Sequence, residues 1–125
     1  MTEMRNFVHR SADNGRDDEM HETEEKKAAQ VLATYRVYER MLLCGEEMSR
    51  CDRVLLRMRM REIEGLLGDL PVGNARLLLE LHYLRGCSVE RCAERLGISR
   101  ATAYRLKRRG LALVAAKKNR EARHA

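Results

Sequence analysis

Apolar residues in this chain recur at helical spacing and show no strand-like alternation. Val37, Met41, Cys44, Met48, Cys51, Leu55 and Met58 are separated by 4, 3, 4, 3, 4 and 3 residues. That is the a/d seam of a heptad repeat. Arg40, Glu46, Glu47, Arg50, Arg53, Arg57, Arg59 and Glu62 fill the intervals. A second apolar stripe, Val31, Tyr35, Tyr38 and Leu42, runs partly beside it. The pattern predicts a long amphipathic helix over 24–68, with the seam as a dimerisation surface of coiled-coil type. At 1.5 Å per residue such a helix is ~60 Å long. That is too long for its stripe to be covered by a small C-terminal domain. Either it pairs with a second copy, or it breaks near Gly45 and folds back; a single helix capping the C-terminal domain is the plainer alternative. Met and Cys make an adaptable seam, weaker than Leu and Ile. A modest dimer, or an interface completed by another protein, follows. Residues 1–23 are polar and aperiodic, with an Asn14-Gly15 pair followed by an acidic run. They read as a disordered arm.

Gly65, Gly68 and Pro71 end the long helix. Asn74 is placed to N-cap the next one, over 75–84, with Leu77, Leu78, Leu81 and Leu84 on its inward face. Gly86 closes it at the position where a left-handed residue ends a helix. Ser88 N-caps a short helix over 89–96, buried through Val89, Cys92, Ala93 and Leu96. Glu90 stands in its first turn, where the helix dipole favours a carboxylate. Gly97 ends this helix, Ile98 plugs the corner, and Ser99 N-caps the last helix, which turns Ala103, Leu106, Gly110, Leu111 and Val114 inward.

Residues 88–107 have the grammar of a helix-turn-helix. Ala93 is small where two helices cross closely, and Gly97 accepts a positive φ that costs other residues energy. Ile98, Ala103 and Leu106 pin the second helix to the first. In that geometry the start of the second helix projects into the major groove of DNA. The candidate DNA-contacting residues are Ser88, Ser99, Arg100, Thr102, Tyr104, Arg105, Lys107, Arg108 and Arg109. Arginine reads guanine O6 and N7 with two bonds, and the flanking cations suit phosphates.

Composition agrees with an all-α fold: a long N-terminal helix followed by a helix-turn-helix bundle. Of 125 residues only one is Pro and 8 are Gly, and aromatics are 4%. Strand-forming runs are absent. The division is an arm at 1–23, the amphipathic helix at 24–68, a DNA-binding domain at 70–116 and a basic tail at 117–125. Charge is concentrated at one end. The net charge is −3 over residues 1–30, zero over 31–84 and +9 over 85–125, within a total of +6. A concentrated basic segment calls for a polyanionic partner, and double-stranded DNA is the first candidate. No stretch approaches the ~18 apolar residues of a membrane span, and no apolar export region stands at the N-terminus. A cytoplasmic, nucleoid-associated protein with no membrane partner is expected.

Cys44, Cys51, Cys87 and Cys92 form no C-x-x-C pair, and His9, His21, His82 and His124 are scattered. Neither a metal nor another cofactor is expected, and the thiols read as reduced, buried, small apolar residues. No nucleophile–base pairing, phosphate-binding glycine loop or paired-carboxylate motif marks an enzyme. Glu90 and Glu94, at i and i+4, read as a solvated face.

Residues 70–114 resemble region 4 of the sigma-70 family through Tyr83, Gly86, Ser88, Ala93, Leu96, Gly97, Ser99, Thr102, Arg109 and Leu111. The resemblance implies that Ser99, Arg100, Thr102 and Arg105 approach DNA and that RNA polymerase is a partner. Housekeeping members carry Glu where Ala101 stands, and an Arg-Gln pair where Tyr104 and Arg105 stand. The resemblance thus implies the docking mode without the standard −35 target. The 70 upstream residues are too few for the promoter-opening region 2. The layout resembles small phage and prophage transcriptional regulators of the ArpU/RinA type. The function expected is a sequence-specific transcription regulator acting as a homodimer near RNA polymerase. Two alternatives stand beside it: a protein-interaction adaptor with a region 4-like fold, and a DNA-packaging subunit resembling a small terminase.

Overall fold

The computed structural model describes residues 16–45 and 47–124. It is built of helices, and no strand occurs among the described residues. The helices are α1 (Arg16–Cys44), α2 (Arg50–Gly68), α3 (Asn74–Leu79), α4 (Val89–Leu96) and α5 (Arg100–His124). α3 runs directly into a π-helical turn, Glu80–Leu84. α1 packs along both α2 and α5, α3 packs on α5, and α4 lies across α5 and the end of α3.

The core is one apolar cluster shared by all five helices. Leu32, Leu67, Leu78, Leu79, Cys92 and Val114 are its largest fully enclosed members. Each large aliphatic side chain buried there contributes about 1.5–3 kcal/mol relative to exposure. Gly110 fits α5 closely onto α3: a Cβ at this position would lie 2.7 Å from Cδ1 of the enclosed Leu79. From Ala103 to Ala115 α5 thus presents one face to the core, which leaves the opposite face to solvent.

The span 24–68 is two helices, not one. α1 ends at Cys44, and α2 starts at Arg50 after Ser49, whose side chain accepts the Asp52 N–H. The chain folds back, as one of the two sequence alternatives had it. α1 and α2 join through Tyr35, whose hydroxyl donates to Glu64 at 2.6 Å. Arg53 completes the reversal by donating to the carbonyls of Leu42 at 3.3 Å and Gly45 at 2.7 Å. The Gly45 carbonyl also accepts the Met48 N–H at 3.2 Å. The heptad seam is therefore divided between two helices. The face that meets the core is the second stripe, with Tyr35 buried and Val31, Tyr38 and Leu42 half-buried beside Ala28 and Leu32. A continuous heptad spacing does not register a break whose cap, Arg53, lies beyond it.

Other positions also differ from the sequence reading. Helix starts at Arg16, within the span 1–23 read as an arm; residues 1–15 of that span lie outside the described residues. The stretch from Glu19 to Lys27 is rich in helix formers and continues the α1 pattern. Gly73, not Asn74, holds the N-cap of α3. Leu77 points to solvent at 45% exposure, because α3 is covered on the side of Leu78 and Leu79. Cys44 and Cys51 are exposed rather than buried, as they sit at the reversal; Cys87 is half-buried and Cys92 buried. α5 runs through most of the span read as a basic tail. Lys117 there folds back onto Asp69 and onto the Gly65 carbonyl, the latter at 3.1 Å.

Candidate DNA-binding interface

Local chemistry sets the angle between α4 and α5. The Ser88 side chain accepts the Arg91 N–H at 3.1 Å, so α4 begins there. Gly97 ends it in the left-handed region, with φ 69° and ψ 35°. The Gly97 and Ile98 amides return to the carbonyls of Glu94 and Ala93 at 3.3 and 3.0 Å. Ser99 then starts α5: its Oγ accepts the Thr102 N–H at 3.1 Å and its hydroxyl donates to Thr102 Oγ1 at 2.9 Å. Val89, Cys92, Ala93 and Ala103 are buried where the two helices cross.

The outward face of α5 collects most of the candidate residues. Ala101, Tyr104, Arg105, Arg108 and Arg109 are exposed along it, with Ser99 and Arg100 exposed at its start. Thr102 is half-buried and anchored to Ser99, and Arg105 Nη2 reaches Thr102 Oγ1 at 3.4 Å. Lys107 lies to the side, half-buried, and Ser88 is exposed on the preceding turn. A groove of about 480 Å³ follows this face, bordered by Tyr104, Arg105, Arg108 and Arg109 on α5 and by Glu25 on α1. Among the described residues, Arg108 and Arg109 have no acidic side chain in ion-pair contact. The seam residues Val37, Met41, Cys44, Met48, Cys51, Leu55 and Met58 lie on the α1–α2 hairpin, not in this groove, and all are exposed or half-buried.

Residues 60–114 match the family model for sigma-70, region 4. The match begins ten residues before the domain boundary read from the sequence and takes in the end of α2. Region 4 is a DNA-binding helix-turn-helix unit. Comparison with curated proteins and with solved structures returned no match. Among the described residues, no helix is long and apolar enough to cross a membrane.

One residue of this candidate interface is not legible in the sequence. The sequence places Glu90 on a solvated face. It is in contact with solvent, and its Oε2 also accepts the Tyr104 hydroxyl at 2.8 Å and Arg100 Nη2 at 3.1 Å. The Tyr104 hydrogen bond, with lesser help from the α4 backbone and Arg100, holds the Glu90 carboxyl below its usual range. The same bond pushes the Tyr104 phenol up. The partners are ten and fourteen residues away, so no helical spacing points to them.

Proposed function

We propose that this protein is a sequence-specific DNA-binding transcription regulator whose α5 enters the major groove of double-stranded DNA. The observation that carries this reading is the outward face of α5. It bears Arg105, Arg108 and Arg109 in solvent, while the opposite face is locked into the core. The +9 charge of residues 85–125 supplies the attraction for phosphates. Binding to duplexes selected from a random pool tests it. Arg105→Ala costs about 1–3 kcal/mol and relaxes specificity at one base pair, whereas Lys107→Ala weakens all duplexes alike and lowers the salt slope by about 1. Absence of binding at low salt overturns the assignment.

Two copies act together, paired through the hairpin. This is supported by the solvent exposure of Val37 (45%), Met41 (43%), Leu55 (47%) and Met58 (53%), large apolar side chains that a monomer leaves uncovered. A monomeric mass at tens of micromolar removes this part of the proposal. In that event the same exposed hairpin favours the adaptor reading, with another protein such as RNA polymerase on it. A charged helical half ahead of a region 4 unit is the layout of the small phage and prophage regulators, the class to which we assign the protein.

A further inference from the structure

The helix-turn-helix carries a carboxylate at its DNA-facing end, where a phosphate-binding surface gains nothing from a negative charge. Glu90 stands in the first turn of α4, the helix that in this geometry crosses the sugar–phosphate backbone. One of its oxygens takes both the Tyr104 hydroxyl and the Arg100 guanidinium. Both donors belong to the first turns of α5, the part that reaches base edges. All three side chains remain in contact with solvent: the Arg100 side chain is 72% and that of Glu90 45% exposed. An exposed ion pair of this kind adds little to stability. Its effect is geometric. It restricts the rotational freedom of a long cationic side chain and of a phenol.

We propose that Glu90 is a positioning residue for sequence readout: by holding Arg100 and Tyr104 through one carboxylate oxygen, it withdraws Arg100 from indiscriminate phosphate binding and fixes the face of α5 that Tyr104 presents to the bases. This rests on the DNA-binding reading above. It adds a division of labour within the face. Arg105, Arg108 and Arg109 are available to DNA, while Arg100 is held until a base or phosphate outcompetes Glu90. Tyr104, its proton committed to Glu90, offers the DNA a ring face and an acceptor oxygen. The Ser99–Thr102–Arg105 hydrogen bonds order the neighbouring side chains in the same way, so the start of α5 is organised before DNA arrives. Preorganisation of that kind favours the one sequence that fits over the many that do not.

The test measures the dissociation constants of full-length protein for its selected site and for a scrambled duplex, across a salt series. Glu90→Ala, Arg100→Ala, the double variant and Tyr104→Phe are compared with the parent, each first shown to be folded by circular dichroism. Glu90→Ala is expected to bind scrambled DNA more tightly, to lose about fivefold or more of its site preference, and to steepen the salt slope by about 0.9, the signature of one added phosphate contact. In the Arg100→Ala background the same change leaves the salt slope unmoved, because the released cation is gone. Tyr104→Phe loses site preference with no change in slope. A slope that steepens equally in both backgrounds overturns the proposal in favour of simple charge repulsion by Glu90. Unchanged preference and slope in a folded Glu90→Ala protein also overturn it. A parent protein that binds no DNA overturns the underlying function, a distinct result.

Discussion

The corner between α4 and α5 and the reversal between α1 and α2 share a plan: a glycine, a short link and a serine that caps the next helix. The glycines serve for different reasons. Gly97 has open space around it and a left-handed backbone, φ 69°. Gly45 is outside the left-handed region, but a Cβ there would stand 2.5 Å from the Met41 carbonyl oxygen. At the first turn the chain is bent by the residue's own conformational freedom. At the second it is bent by close approach and held by Arg53, a side chain eight residues further along. Local codes therefore suffice for the helix-turn-helix, whereas the hairpin depends on a contact made after the chain has already reversed.

Substitutions can separate these two modes. The largest effect is expected at Arg53. Arg53→Ala deprives two carbonyls of a charged donor and should cost about 1.5–3 kcal/mol in denaturant unfolding. An unchanged midpoint would show that the hairpin is held by packing alone. Gly97→Ala forces a Cβ into a left-handed turn and should cost about 1–2 kcal/mol. Gly97→Asn should recover part of that, since Asn tolerates the region; equal losses from Ala and Asn would point to packing and not to φ. Ser99→Ala removes the α5 cap at about 1 kcal/mol, and hydrogen exchange should report it first at the Thr102 amide.

The smallest effect concerns the stem of the hairpin. Burial and the hydrogen bond to Glu64 push the Tyr35 phenol up to about 12. Because the folded value is raised, the stabilisation is fully present below about pH 10, the ordinary phenol value. It is lost as pH rises from there through the folded value. Tyr35→Phe, short of one hydrogen bond worth about 0.5–1.5 kcal/mol, should show a flatter alkaline stability profile than the parent. Parallel profiles would mean that Tyr35 does not set the alkaline limb.

The legibility of the molecule follows the same contrast. Ser88, Gly97 and Ser99 could be assigned from the chain because a cap bonds three residues on and a left-handed glycine ends its own helix. The inward positions Val89, Cys92, Ala93, Ala103 and Val114 follow from periodicity and are buried. The exposed arginines of α5 follow from the same periodicity, read on the opposite face. Leu77, Cys44 and Cys51 lie in solvent against their apolar pattern, because periodicity marks an apolar stripe without saying whether a neighbour covers it.

What the linear order of residues decides here is local: helical period, caps, the sharp α4–α5 corner and the charge of the last third. These depend on interactions spanning a few residues, which any segment carries with it. Three things wait for the assembled fold: which of two apolar stripes on α1 is covered, whether the long helical span breaks at Gly45 or continues, and the capture of Arg100 and Tyr104 by Glu90. Each depends on groups far apart in the chain, brought within hydrogen-bond or packing range only after the helices have docked.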